Sequence, residues 1–240
     1  MADLTALAAM AAASAAYRRL AERARTADPD LPTRLTGWSV GDLVDHVAWG
    51  AAMEAAAVRA VAGLPAADPV SPSLVEAVTA FEQAAGLQVD PAAAVVLPAG
   101  TVPFAYAAPL FAFEAAVHSA DLDHALTGED PPLSADELSA CAVVIGPMLD
   151  LLASTAPVGE VVIDLVGLGD GIRLSTNGTE DGAAGAWQQS VPDGRRAATT
   201  LTGSAQDVVL FASGRIGANR LQVRGEAEHA ERFKAYFPGP

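Results

Sequence analysis

The spacing of apolar residues changes character once along this chain, and that change limits what it can fold into. Before Pro157-Val158-Gly159 apolar side chains recur at three- and four-residue intervals, the period of amphipathic helices. After it they come in short runs rich in Val, Ile and Leu, punctuated by glycine, the pattern of strands and hairpins. A chain of 240 residues patterned this way is expected to be α+β. Its helical bundle would cover 1–156 and a smaller α+β domain 157–240.

The helical part divides readily. Residues 3–27 place Leu7, Met10, Ala13, Tyr17 and Leu20 on one side, and Asp28-Pro29-Asp30-Leu31-Pro32 ends that helix. Ser39 followed by Asp42 reads as a capping box opening a second helix over 40–62. A third is expected over 73–86. Residues 88–106, with Pro91, Pro98, Gly100 and Pro103, read as an irregular loop of the length that usually serves a site or a lid. A fourth helix over 107–127 is closed by Gly128. A fifth, over 135–154, starts after Ser134 and is kinked at Pro147.

Beyond 157, strands are expected over 160–166, 171–176, 184–189, 197–202 and 221–223. Ser204 caps a short helix to Ser213, and a last amphipathic helix covers 226–236. Asn177-Gly178 is a hairpin-turn signal. Gly167-Leu168-Gly169-Asp170-Gly171 lies between two strands with no helix after it, so it reads as a hairpin loop and not a phosphate cradle.

A net charge of −15 argues against nucleic acid and anionic membranes as partners, since both select a basic face. Arg18, Arg19, Arg23 and Arg25 read as a solvated helix face. Lys234 is the sole lysine, so an anionic ligand would mostly meet guanidinium groups. The single cysteine, Cys141, lies in an apolar run and reads as a small buried hydrophobe. A lone thiol suits a reducing cytosol. The apolar N-terminus carries Asp3 where a signal peptide would be basic, and no run is long enough to span a bilayer, so a cytoplasmic location is expected.

Three side chains stand on apolar helix faces where charge is costly: His46 on the second helix, Glu114 and His118 on the fourth. Leu43, His46, Val47, Gly50 and Met53 share a face, so His46 is expected to be buried. Two imidazoles and a carboxylate form a common ligand set for a catalytic divalent metal and leave a position open. Asp121 could hydrogen-bond a ligand imidazole from behind. Taken alone, Glu-x3-His also suits an ordinary salt bridge.

Gly37-Trp38-Ser39-Val40 leading to Asp42-Leu43-x2-His46 resembles the second-helix signature of DinB-like bundles. Glu114-x3-His118-x2-Asp121-Leu122, with Val117, resembles their later helix. Leu201-Thr202-Gly203-Ser204 with Asp207, then Gly214-Arg215, then Leu221-x-Val223-x-Gly225 is similar to a sterol-carrier-like domain. Together these resemble the mycothiol-dependent maleylpyruvate isomerase family. The resemblance implies a DinB-like up-down four-helix bundle with an extra helix and a smaller C-terminal α/β domain. It implies a divalent metal, usually zinc, on His46, Glu114 and His118, with mycothiol as thiol cofactor. It also implies an arginine from the C-terminal domain, best matched by Arg215, with Arg220 and Arg224 as alternatives.

The expected activity is cis–trans isomerisation of a maleylpyruvate-like unsaturated acid, or thiol transfer onto a small electrophile. The partners would be that electrophile and the thiol, with the protein a monomer or small homo-oligomer. A metal-dependent hydrolase using bound water and a non-catalytic small-molecule or lipid carrier are the alternatives. Ser119-Ala120 stand where the family often has Gly-Trp, and Glu226 where Asp follows the glycine, departures that bear on the substrate pocket.

Overall fold

The structure is a computed structural model that describes residues 4–65, 72–98, 100–154, 160–176 and 186–238. The chain forms two compact units, dividing between Cys141 and Ala142. The boundary expected at 156/157 falls outside the described residues, as do Asn177-Gly178 and the start of the strand expected at 184.

The first unit is built on helices α1 (Ala6–Ala24), α2 (Val40–Val61), α3 (Leu74–Ala85) and α4 (Phe104–Thr127). Helix α1 packs chiefly on α4, and α2 on α3. Alanine lets these axes approach closely: Ala9, Ala13, Ala16, Ala51, Ala107, Ala108, Ala112 and Ala115 are all buried. Phe81 fills the middle, its ring 5.0 Å from Tyr17 and 6.2 Å from Phe111, both edge-on. Two capping boxes fix helix starts, Ser39 with Asp42 and Ser73 with Glu76. The arginines of α1 are not merely a solvated face. Arg18 pairs with Glu82, Arg19 with Glu137 and Arg23 with Asp123, tying α1 to its neighbours.

Residues 88–106 differ from expectation. They hold a hairpin, β1 (Ala94–Leu97) against β2 (Gly100–Pro103), in the register Val95↔Val102. Val95 is fully buried and anchors the hairpin to the bundle core. Pro103 ends β2 and directly precedes α4, which starts three residues earlier than expected. Proline has no N–H to give and fits a helix entrance.

Helix α5 (Ala135–Leu152) spans the division between the units. The second unit carries a five-stranded sheet in the order β5-β4-β3-β6-β7, made of β3 (Val162–Val166), β4 (Ile172–Thr176), β5 (Trp187–Ser190), β6 (Thr199–Thr202) and β7 (Gln222–Gly225). Among the described strands of this sheet, β3 and β6 alone pair in parallel. The loop Gly167–Gly171 joins β3 to β4 as a hairpin, as expected. Asp164 and Arg173 face each other across that hairpin in a bidentate pair of 2.8 and 2.9 Å. Helix α6 (Ala205–Ala212) starts at the Ser204 cap. The single last helix expected over 226–236 is two short pieces, α7 (Ala227–Glu231) and α8 (Phe233–Tyr236). Phe233, Tyr236 and Phe237 turn inward here and pack with Phe211 and Trp187. Among the described residues no helix is long and apolar enough to cross a membrane.

Gly225 ends β7 at φ +92°, and a Cβ there would meet the Ala198 carbonyl oxygen at 2.0 Å. Gly225→Ala is expected to lower unfolding free energy by about 1–3 kcal/mol, read by urea denaturation. Unchanged stability would show that the sheet edge yields freely.

Candidate metal centre

Helix α4 presents Glu114, His118 and Asp121 along one stripe, since steps of four and three residues return to the same side. The His118 imidazole is buried, and its Nε2 lies 3.4 Å from Glu114 Oε2. From α2, His46 brings its ring to 4.9 Å from that of His118, edge to face. One ligand atom from each of His46, Glu114 and His118 can be chosen so that all lie within 4.8 Å of one another. Zinc ligands at about 2.0–2.2 Å from a tetrahedral ion stand roughly 3.3–3.6 Å apart, so small side-chain rotations suffice to converge this set. Two imidazole nitrogens and one carboxylate oxygen also suit a borderline divalent ion chemically.

His46 departs from expectation: it is not fully buried. The buried stripe of α2 runs through Leu43, Val47, Ala51, Ala55 and Val58, and His46 stands one position off it. It therefore lies at the rim, where the Trp38 ring meets it edge-on at 5.1 Å. Glu114 is also partly open, its side chain 40% exposed. The trio thus has a dry side at His118 and an open side at His46 and Glu114.

Asp121 has no solvent exposure, and its Oδ2 lies 3.1 Å from His118 Nδ1. An ionised Asp121 accepts the Nδ1 proton and leaves Nε2 turned to Glu114 and His46. Burial alone would push the His118 imidazole down. Its hydrogen bonds to Asp121 and Glu114, and the charge of both, carry it above the ordinary value instead.

Three groups beside this site were not foreseen. Arg34, in the segment between α1 and α2, donates from Nε to Asp121 Oδ1 at 2.7 Å and from Nη1 to Asp130 Oδ1 at 2.6 Å. No periodicity marks a loop residue, so nothing local signalled its burial. Tyr17 of α1 and Glu54 of α2 form a buried pair, the phenol donating to Glu54 Oε2 at 2.8 Å. Glu54 is two turns beyond His46, and an acid among the apolar positions of α2 was a readable signal. Burial pushes its carboxyl well above the usual range; the Tyr17 hydrogen bond opposes this and the charge of Glu114 adds to it. Glu54 therefore takes on negative charge less readily than a free carboxyl.

Ser119 and Ala120, the departures noted in the sequence, line a cleft of about 300 Å³ with Arg19, Arg23, Asp123 and Pro131, and none of His46, Glu114 or His118 borders it. Arg215 belongs to the second unit, where it follows Gly214 after α6 and donates from Nη1 to the Ser213 carbonyl at 2.5 Å. It is half-buried, whereas Arg220 and Arg224 are exposed. Lys234 lines a groove of about 540 Å³ in this unit, together with Phe211, Leu221 and Phe233. Burial and the charge of Arg215 hold its amine below the ordinary value.

A helical bundle followed by a sheet domain is the architecture of solved mycothiol-dependent maleylpyruvate isomerase structures. One is described as the crystal structure of that enzyme and superimposes with a TM-score of 0.58 at 17% identity, covering 93% of this chain and 95% of that one. A histidine-to-alanine mutant of it gives 0.57 at 16%, with the same coverage. No curated protein sequence matches the chain. Residues 10–123 match the family model described as the mycothiol maleylpyruvate isomerase N-terminal domain.

Glu54 gives a pH test in the metal-free protein. Its native value is raised, so below the unfolded value of 4.5 both states are protonated and the carboxyl costs nothing. As pH rises past 4.5 the unfolded chain ionises and the native chain does not, so stability is lost. Glu54→Gln is expected to match the parent in acid and to melt higher near neutrality. An equal drop in melting temperature at both pH values would show that Glu54 is not held neutral.

Proposed function

We propose that the protein is a mycothiol-dependent metalloenzyme that isomerises a small unsaturated acid. The observation that carries this is the convergence of His46, Glu114 and His118 at the open edge of a bundle of the maleylpyruvate isomerase type. These three residues would hold the ion, zinc by the chemistry of the donor set. A divalent ion with an open position keeps a bound thiol ionised near neutral pH, and a thiolate that adds to a double bond and leaves after rotation converts cis to trans.

The chain's own groups have definite tasks in this scheme. Asp121 holds the His118 ring by its Nδ1 proton so that Nε2 points at the ion's position. As ligands, His46, Glu114 and His118 are not available as free bases. His118 lies on the dry side, which keeps water from one face of the site. Arg215 is the arginine we assign to the substrate carboxylate, or to the oxygen on which charge develops. A guanidinium offers two parallel donors to such a group. Capture of the thiol adduct in place of its release would make the same site a thiol transferase.

Metal analysis of the purified protein should give close to one divalent ion per chain. His118→Ala should lose it, with a lower melting temperature. Calorimetry should show mycothiol binding to the metal-loaded protein and none to His118→Ala. Retention of metal by His118→Ala refutes the ligand assignment. Metal without thiol binding favours hydrolysis by bound water. Arg215→Ala should cut kcat/KM on an unsaturated diacid by about 10²–10³-fold while leaving metal content intact.

A further inference from the structure

We propose that Arg34 is a positioning residue for the metal centre: its guanidinium, forked between Asp121 and Asp130, fixes the Asp121 carboxylate that in turn orients the His118 ring. This rests on the reading of His46, Glu114 and His118 as ligands. It adds an outer brace which neither the motifs nor the comparisons indicate.

The geometry is a chain of contacts. His118 Nδ1 meets Asp121 Oδ2 at 3.1 Å; Asp121 Oδ1 accepts from Arg34 Nε at 2.7 Å; Arg34 Nη1 reaches Asp130 Oδ1 at 2.6 Å. Every side chain here is at least nearly buried: Arg34 is 8% exposed, Asp121 0% and Asp130 11%. A buried carboxyl group needs a partner at each oxygen. Arg34 holds Oδ1 and His118 meets Oδ2. With Oδ1 fixed by the arginine, Oδ2 is held where it sets the His118 ring through Nδ1.

Stability alone is a poor reason for this arginine. Its Nη2 is buried with no hydrogen-bond partner among the described residues, a state that costs folding free energy. Buried ion pairs are often no better for folding than apolar residues of the same volume. The placement fits an orienting task better. Arg34 sits on a loop that is itself pinned: Thr33 N–H and Oγ1 both donate to the Trp38 carbonyl at 2.9 Å, and Leu35 N–H donates to Thr33 Oγ1 at 3.1 Å. Gly37, at φ +80°, makes the turn. The same loop carries Trp38 against His46. One short loop therefore braces both histidines, His46 by an aromatic edge and His118 through a carboxylate.

Two measurements on the full chain test this. Zinc affinity, from competition with a chromophoric chelator, should fall about 10- to 100-fold in Asp121→Asn and in Arg34→Gln. The double variant should bind no more weakly than Asp121→Asn alone, because Arg34 acts through Asp121. Arg34→Lys keeps the charge but cannot span both carboxylates, and should fall between parent and Arg34→Gln. Parent-like affinity in Arg34→Gln, or losses that multiply in the double variant, overturns the proposal. If Arg34→Gln does not fold, Arg34→Lys decides: unchanged affinity overturns it.

The second measurement needs no metal. In ¹⁵N-histidine-labelled, metal-free protein at alkaline pH, His118 should hold its proton on Nδ1 in the parent and distribute it over both nitrogens in Arg34→Gln or Arg34→Lys. An unaltered tautomer in those variants overturns the role of Arg34. A parent that takes up no zinc, yet shows this tautomer change, removes the metal reading and leaves the orienting chain standing.

Discussion

Asp121 places a carboxyl group where no water reaches it, and much of this site's order follows from that. The carboxylate needs partners on both oxygens. One is His118 on its own helix, a turn earlier; the other is Arg34, 87 residues back in the chain. The first contact is built by helical geometry alone. The second requires the loop between α1 and α2 to fold back onto α4, and that loop is closed by its own hydrogen bonds to the Trp38 carbonyl. A local motif is thus completed by a tertiary contact.

Helix α4 serves two sides. Its Ala107, Ala108, Phe111, Ala112 and Ala115 join the bundle core, while Glu114 and His118 meet His46. Ser119 and Ala120 border a separate cleft with Arg19 and Arg23. Two acids of the bundle are placed differently: burial and the charge of Glu114 push the Glu54 carboxyl up, while Asp121 accepts from Arg34 Nε at 2.7 Å.

The helices with unbroken apolar stripes were legible in the sequence, because burial of one face imposes a period that composition cannot hide. The Ser39–Asp42 start of α2 and the four-residue step from Glu114 to His118 were legible for the same local reason. His46 was expected to be buried, and a single step off the stripe sufficed to put it at the rim. The β1–β2 hairpin was missed because Pro98 and Gly100 made four-residue strands look like punctuation, although Val95 and Val102 keep the two-residue alternation. The last helix broke in two because Phe233, Tyr236 and Phe237 were drawn toward Phe211 and Trp187, a demand that no window of eleven residues contains. Arg34 belongs to the same class: its partner is distant in the chain, so its neighbours say nothing of its role.

Cys141 lies sealed in α5, with no solvent exposure and a thiol that burial pushes far up its scale. The protein therefore brings no nucleophilic sulfur of its own to a reaction that, on the proposed function, runs on sulfur. Its catalytic capacity would then rise and fall with the supply of reduced small thiol around it, while the chain's own thiol stays sealed from oxidants. Such an enzyme is spared the oxidative damage that silences cysteine-based catalysts, and it recovers as soon as the thiol pool does.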